Sequence, residues 1–196
     1  MHQLTDPPAT KVALAPEATL RTRRLLLEPL QAEHAPLLYE SLRDERLYRF
    51  IPQDPPDSLR GLERRYFMLS SRRSPDGREA WLNFALRLRQ PARNAPTYVG
   101  TLQATVLPDR VAYIAYTMFV PFQRQGYAVE GCVRLIEHLI GDYRARVVVA
   151  EMDTRNVASI ALAEALGFER VGTTIGADHF KCSVSDEHRY ELSVRE

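Results

Sequence analysis

Phe119-Val-Pro-Phe-Gln-Arg-Gln-Gly-Tyr-Ala-Val-Glu130 is the stretch that decides the fold: strand-like apolar residues enter a glycine turn and then an amphipathic helix. The first turn of a helix has backbone N–H groups without intrahelical acceptors, and the helix dipole places roughly half a positive charge there. A phosphate can settle on such a terminus without help from side chains, and Gly126 lets the backbone approach it closely. The donors would be the N–H groups of Arg124, Gln125, Gly126, Tyr127 and Ala128, to which the Arg124 side chain could add a charge-assisted contact. Taken by themselves, the same residues also read as an ordinary strand-to-helix corner.

Downstream, the apolar positions Ala128, Cys132, Leu135, Ile136, Leu139 and Ile140 form one helical stripe, which Gly141 is expected to end. A strand follows over 147–152, then a helix over 156–166 opened by Asn156-x-x-Ser159 and closed by Ala165-Leu-Gly-Phe168, then strands over 168–174 and near His188–Val194. Upstream, Ala80–Leu88, Tyr98–Leu107 and Val111–Val120 read as an antiparallel meander, linked by the Pro91–Pro96 loop and by Pro108-Asp-Arg110. Before it, Leu20–Leu30 alternates like a strand, stopped by Pro29, and Ala35–Leu47 carries Leu37, Leu38, Leu42 and Leu47 at helical spacing. Pro52, Pro55 and Pro56 break the chain, after which Asp57 or Ser58 can cap a helix to about Ser71 that carries Leu59, Leu62, Tyr66 and Leu69. The pattern predicts an α+β fold with one central, mostly antiparallel sheet, a mobile tail over 1–18 and a single domain over 19–196.

Composition narrows the function classes. At 196 residues the chain suits one well-buried core. Its formal charge of +1 argues against a dedicated nucleic-acid binder, which would carry a strong basic excess. No run approaches the ~20 apolar residues of a membrane span, and the N-terminus lacks the apolar core of a secretory signal, so a cytoplasmic protein is expected. The two cysteines, Cys132 and Cys182, form neither a disulfide framework nor a metal-ligand pattern.

The spacing Gln123-x-x-Gly126-x-Ala128 resembles the acyl-CoA pyrophosphate loop of the GNAT-type N-acetyltransferases, Gln/Arg-x-x-Gly-x-Gly/Ala. The order of elements after it is similar to that family's cofactor half, and closest to the branch that includes the ribosomal-protein N-terminal acetyltransferases, where the last helix carries Asn-x-x-Ser and ends in Leu-Gly-Phe. The resemblance covers 19–194 and is strongest over 111–172. It implies a splayed mixed sheet flanked by helices, with acetyl-CoA as co-substrate and no metal. The pyrophosphate would lie on Gln123, Arg124, Gln125, Gly126, Tyr127 and Ala128, and the pantetheine arm along the backbone edge of Met118, Phe119 and Val120. An N–H of Phe119 or Val120 would polarise the thioester carbonyl, since Pro121 has none.

The same resemblance gives Asn156 a bond to the pantetheine amides, although it is equally a good helix cap. Ser159 would protonate the departing thiolate, or simply bond back to its own helix. Many relatives place a tyrosine for that task where this chain has Ala163. Asp178 falls where the N-terminal acetyltransferases carry a carboxylate that resembles a base in role, with His179 beside it. Glu151 and Asp153, on one face of their strand, could act through water or be solvated charges. The acceptor would be a protein N-terminus or a small-molecule amine, bound near residues 47–70, where Tyr48, Phe50, Ile51, Tyr66 and Trp81 supply aromatic and apolar surface, and near a C-terminal loop over 174–187. A non-catalytic acyl-CoA sensor or interaction module is the alternative. Exposed sheet edges could pair two chains into a homodimer, and no nucleic-acid or membrane partner is expected.

Overall fold

Alternating side chains and short turns lay most of this chain into one sheet. The computed structural model describes residues 11–91 and 97–194. The strands are β1 Leu20–Arg21, β2 Leu25–Pro29, β3 Ala80–Leu88, β4 Tyr98–Val106, β5 Val111–Met118, β6 Val147–Asp153, β7 Glu169–Phe180 and β8 Ser183–Ser193. They form one eight-stranded sheet in the order β1-β2-β3-β4-β5-β6-β8-β7. All neighbours are antiparallel except β5 and β6, which run parallel. A parallel pair needs a crossover, and α3 (Tyr127–Tyr143) provides it.

The two faces of the sheet are covered by different helices. On one face α3 and α4 (Val157–Ala165) bury Cys132, Leu135, Leu139 and Ala163 against Leu25, Leu27, Leu86, Leu102, Ala104, Val148 and Ala150. On the other, α1 (Ala35–Leu42) and α2 (Leu59–Leu69) bury Ala35, Leu38, Leu62 and Tyr66 against Leu30, Ala85 and Phe119. Ser58 caps α2 by accepting from the Gly61 N–H at 3.1 Å, as its position before the apolar run predicts.

Several boundaries differ from expectation, each for a local reason. Gly141 does not end α3; the buried Tyr143 extends the apolar stripe, and the helix closes at Arg144 in the left-handed region (φ 55°), whose N–H bonds the Leu139 carbonyl. The first strand splits at residues 22–24, where the Thr22 hydroxyl accepts from the Leu25 N–H at 2.8 Å. The helix from Ala35 stops at Leu42, because Asp44 takes the Arg46 N–H and opens a separate 3₁₀ turn over Glu45–Tyr48. The 174–187 segment is not a loop. It belongs to a long β7–β8 hairpin turning on Lys181 and Cys182, both left-handed (φ 49° and 58°) as a two-residue hairpin turn requires, and the absence of glycine or asparagine there hides it from a sequence reading.

Of the expected tail, residues 1–10 lie outside the described residues, as do residues 92–96 of the proline loop. Residues 11–18 form no helix or strand but are strapped to the body. The Val12 N–H bonds the Arg78 carbonyl at 3.0 Å, Arg73 and Arg72 donate to the Val12 and Ala15 carbonyls at 3.0 Å each, and Val12, Leu14 and Ala15 pack on the core.

One close approach sets the line of β5. The β3–β4 register shifts between Leu86 and Arg87, and beside that shift a Cβ on Gly100 would lie 2.2 Å from the Thr117 carbonyl oxygen and 3.1 Å from the Met118 Cα. Only glycine lets β4 and β5 meet this closely. Gly100→Ala should therefore lower the denaturant-derived unfolding free energy by about 1–3 kcal/mol. Gly172→Ala, where a Cβ meets nothing within 4 Å, should change it by less than about 0.5 kcal/mol.

Candidate active site

Hydrogen-bond alternation decides which backbone atoms of β5 are free. β5 and β6 pair only over Val111–Tyr113 and Val147–Val149, after which β6 continues beside β8 to Asp153 and the two strands part. In an antiparallel ladder, every second residue turns its N–H and C=O to the same neighbour. The Leu107 N–H donates to the Val111 carbonyl and the Phe119 N–H to the Val99 carbonyl, both at 2.9 Å, so the odd-numbered residues of β5 serve β4. The Ile114 N–H serves the Val149 end of the β5–β6 pairing, so the Ile114 carbonyl and the backbone groups of Tyr116 and Met118 aim into the splay.

This corrects one expectation. The Phe119 N–H is already engaged and its side chain is buried in the α1–α2 core, so it cannot polarise a thioester carbonyl in the splay. Val120 remains, as the first residue of a 3₁₀ turn whose first bond is made by the Phe122 N–H to Phe119. The Met118 carbonyl accepts from Gln123 Nε2 at 3.0 Å, which holds the strand end to the loop.

The loop from Gln123 to Ala128 is built to expose N–H groups. Arg124 (φ 59°) and Gly126 (φ 78°, ψ 4°) both take the left-handed conformation, and Gly126 is the N-cap of α3. Alternation of this kind turns successive N–H groups toward one side. The first helical bond is from the Glu130 N–H to the Gly126 carbonyl at 3.1 Å, so the N–H groups of Gly126, Tyr127, Ala128 and Val129 precede it. Gln125 Nε2, like Gln123, folds back onto backbone, bonding the Pro121 carbonyl at 2.8 Å. Arg124 is exposed and forms no ion pair among the described residues.

Across the splay, α4 presents the other candidates. Asn156 caps it, its side-chain oxygen accepting from the Ser159 N–H at 3.2 Å. Ser159 is half-buried, and its Oγ makes no hydrogen bond among the described residues. Its carbonyl accepts from the Tyr116 hydroxyl at 3.1 Å, tying α4 to the free edge of β5, and burial pushes that phenol up to about 12. Ala163 is buried against the core and offers no acid.

The carboxylates divide into spent and available. Asp153 is 4% exposed; the Arg155 guanidinium, with the Ser185 hydroxyl at 2.7 Å and the Arg155 N–H, holds it far below the usual carboxylate range despite burial. It pins the end of β6 to β8 and is not a base. Glu151 pairs with Arg189 at 2.8 Å. Asp178 is exposed on β7 and its carboxylate accepts the neighbouring His179 N–H at 2.7 Å; His179 is exposed as well. The residue that sequence reasoning missed is Glu187. It sits on β8 opposite Asp153, at the open end of the splay, half-buried, and burial together with the nearby charges of Glu151 and Asp178 raises its pKa. The signal was the period-2 run Glu187, Arg189, Glu191 on one strand face.

On the α1–α2 side a cleft of about 470 Å³ has a polar sheet floor, Asn83, Thr101, Gln103 and Thr117, with Tyr48, Ile51, Tyr66, Arg64 and Arg65 among its walls. Thr117 adjoins Met118, so the cleft meets the splay there. Of the residues expected near the acceptor, Tyr48, Ile51 and Tyr66 line this cleft, and Phe50 and Trp81 do not. The hairpin tip reaches this side: Lys181 Nζ donates to the Ile51 and Gln53 carbonyls at 2.8 and 3.0 Å.

A family model described as "Acetyltransferase (GNAT) domain" matches residues 24–169. No curated protein matches the chain. Among solved structures, a GNAT-family acetyltransferase from Bacillus anthracis shares the fold at TM-score 0.74 and 15% identity, covering 90% of this chain and 98% of its own. An acetyltransferase from Salmonella typhimurium, which modifies the N-terminal serine of ribosomal protein L7/L12, aligns at TM-score 0.75 and 19% identity over 89% and 97% of the two chains. The ribosomal L7/L12 α-N-protein acetyltransferase RimL, solved in complex with coenzyme A, aligns at 0.76 and 20% identity over 88% and 96%.

Glu187 gives a measurable signature. A carboxyl whose pKa in the folded protein lies above its ordinary 4.5 favours folding below that value and opposes it increasingly as pH rises through the folded value. Glu187→Gln should therefore raise the melting temperature near neutral pH, and the gain should shrink to nothing as the medium is acidified below the ordinary glutamate range.

Proposed function

Because the chain belongs to the GNAT acetyltransferase family, we propose that it moves an acetyl group from acetyl-CoA to a primary amine by direct attack. The observation that carries this reading is the left-handed Gly126 at the head of α3, its exposed loop lying just beyond the strand end at which β5 has parted from β6. A diphosphate would sit on the N–H groups of the loop, and the pantetheine arm would run beside Met118 and Val120 with Asn156 on the opposite side.

In the reaction the amine nitrogen adds its lone pair to the thioester carbonyl carbon. The resulting oxyanion is met by the Val120 N–H, and collapse breaks the C–S bond, releasing an amide and the CoA thiolate. Ser159 Oγ, unengaged and in the first turn of α4, passes a proton to that thiolate and recovers one from the nitrogen, which became cationic on addition and loses that proton as the amide forms. The proton lost from the ammonium passes toward the carboxylates on the acceptor side, Asp178 and Glu187.

The α-amine of a protein N-terminus is the favoured acceptor. Its deprotonation at pH 7 costs roughly 1–1.4 kcal/mol, against roughly 4.6 kcal/mol for lysine, so a weak base suffices. Relatives in fold that act on ribosomal protein L7/L12 support the same choice.

Calorimetric titration with acetyl-CoA tests the donor. Saturable binding is expected, abolished by Gly126→Glu, which adds a charge and a side chain at a left-handed position; no binding by the unaltered protein would sink the reading. In thiol-release assays, N-terminal peptide amines should be used roughly 200- to 400-fold better than lysine side chains near neutral pH. Ser159→Ala should lower kcat by roughly 100-fold with acetyl-CoA affinity unchanged. Binding without turnover of any amine would instead identify an acyl-CoA sensor.

A further inference from the structure

Glu130 occupies the first turn of α3, where the helix dipole favours a carboxylate. It also stands one turn from the N–H groups that would hold a diphosphate, and an uncompensated charge there would repel it. The structure compensates it fully. Its Oε1 accepts from the Thr22 hydroxyl at 2.6 Å and the Arg24 N–H at 2.7 Å, and its Oε2 accepts from Arg24 Nε at 2.5 Å. Burial would raise its pKa, but these partners outweigh burial and lower it.

Arg24 lies in the turn between β1 and β2, about 100 residues from the loop in sequence. That turn is itself fixed, since Arg89 donates to the Thr22 and Arg23 carbonyls at 2.9 and 3.2 Å and its N–H bonds the Arg24 carbonyl at 2.9 Å. From its anchor on Glu130, the guanidinium reaches three consecutive loop residues. Nη1 donates to the Gln125 carbonyl at 3.0 Å, the plane lies over the Tyr127 ring at 4.4 Å, and Nη2 is 3.3 Å from where a Cβ on Gly126 would stand. Nη2 makes no hydrogen bond among the described residues. A lysine could match the charge but not the fork or the stacking.

We infer that Arg24 is a positioning residue for the Gln123–Ala128 loop: anchored on Glu130, it clamps the loop in its anion-binding shape. The inference rests on the acetyl-CoA reading. It explains why the loop keeps two left-handed residues although its glutamine side chains bond only locally. Binding of coenzyme A then depends on a side chain from the far end of the sheet that belongs to no glycine motif.

The test is calorimetric titration of the full chain with coenzyme A, for the unaltered protein, Arg24→Gln, Arg24→Lys and Glu130→Gln, with thermal melting of each without ligand. All three variants should lose about tenfold or more in affinity, the scale of one charge-assisted hydrogen bond, while kcat at saturating acetyl-CoA stays within about twofold. Arg24→Lys keeps a cation for Glu130 and serves as the decisive variant should Arg24→Gln fail to fold. Affinity within about twofold of the unaltered protein in a folded Arg24→Gln, or full affinity in Arg24→Lys, would overturn the clamp while leaving the acetyl-CoA reading intact. An unaltered protein that does not bind coenzyme A overturns both.

Discussion

The parting of β5 from β6 beyond Tyr113 and Val149 is the constraint around which the molecule is arranged. It leaves backbone N–H and C=O groups without a strand partner in the middle of a sheet, and an unpaired buried polar group costs about 1–3 kcal/mol. Each strand is therefore held from its other side. β5 is locked onto β4 by the contact at Gly100 and by the Phe119 N–H, and β6 onto β8 by seven paired residues and the Asp153, Arg155 and Ser185 cluster. The gap is thus a product of two good ladders that diverge, not of one poor one.

What fills the gap follows from the same geometry. The Ile114 carbonyl and the backbone groups of Tyr116 and Met118 point across it, Tyr116 bridges one part to α4, and the remainder is open to an extended ligand that can pair like a strand. The sheet then sorts the chemistry by face. The loop at the start of α3 lies on the α3–α4 side, beside Arg24. The cleft with the Asn83, Gln103 and Thr117 floor lies on the α1–α2 side. The two meet at Thr117 and Met118, on a single stretch of backbone.

Legibility in the sequence tracked the range of the interactions. The strand–glycine–helix junction, the Ser58 and Asn156 caps and the three-strand meander depend on neighbours within a few residues, and they stand where the sequence puts them. The end of α3 was misread because Gly141 is a local signal, and burial of Tyr143, a tertiary effect, overrode it. Likewise the β7–β8 turn uses Lys181 and Cys182 in a conformation usually given to glycine, held by the long ladder on either side.

By itself, the sequence determined the order of elements, the one-core size and the anion-ready loop at Gly126, because periodicity, capping and glycine freedom are properties of short segments. Only the tertiary structure decided that the Phe119 N–H is spent and that of Val120 is left, since this depends on the parity of the β4–β5 register. It also decided that Asp153 is a tie, that burial and neighbouring carboxylates raise the pKa of Glu187, and that Arg24 meets Glu130 across 106 residues. The reason is common to all three: hydrogen-bond satisfaction and charge compensation are set by what lies nearby in space, and a strand register chooses those neighbours two residues at a time.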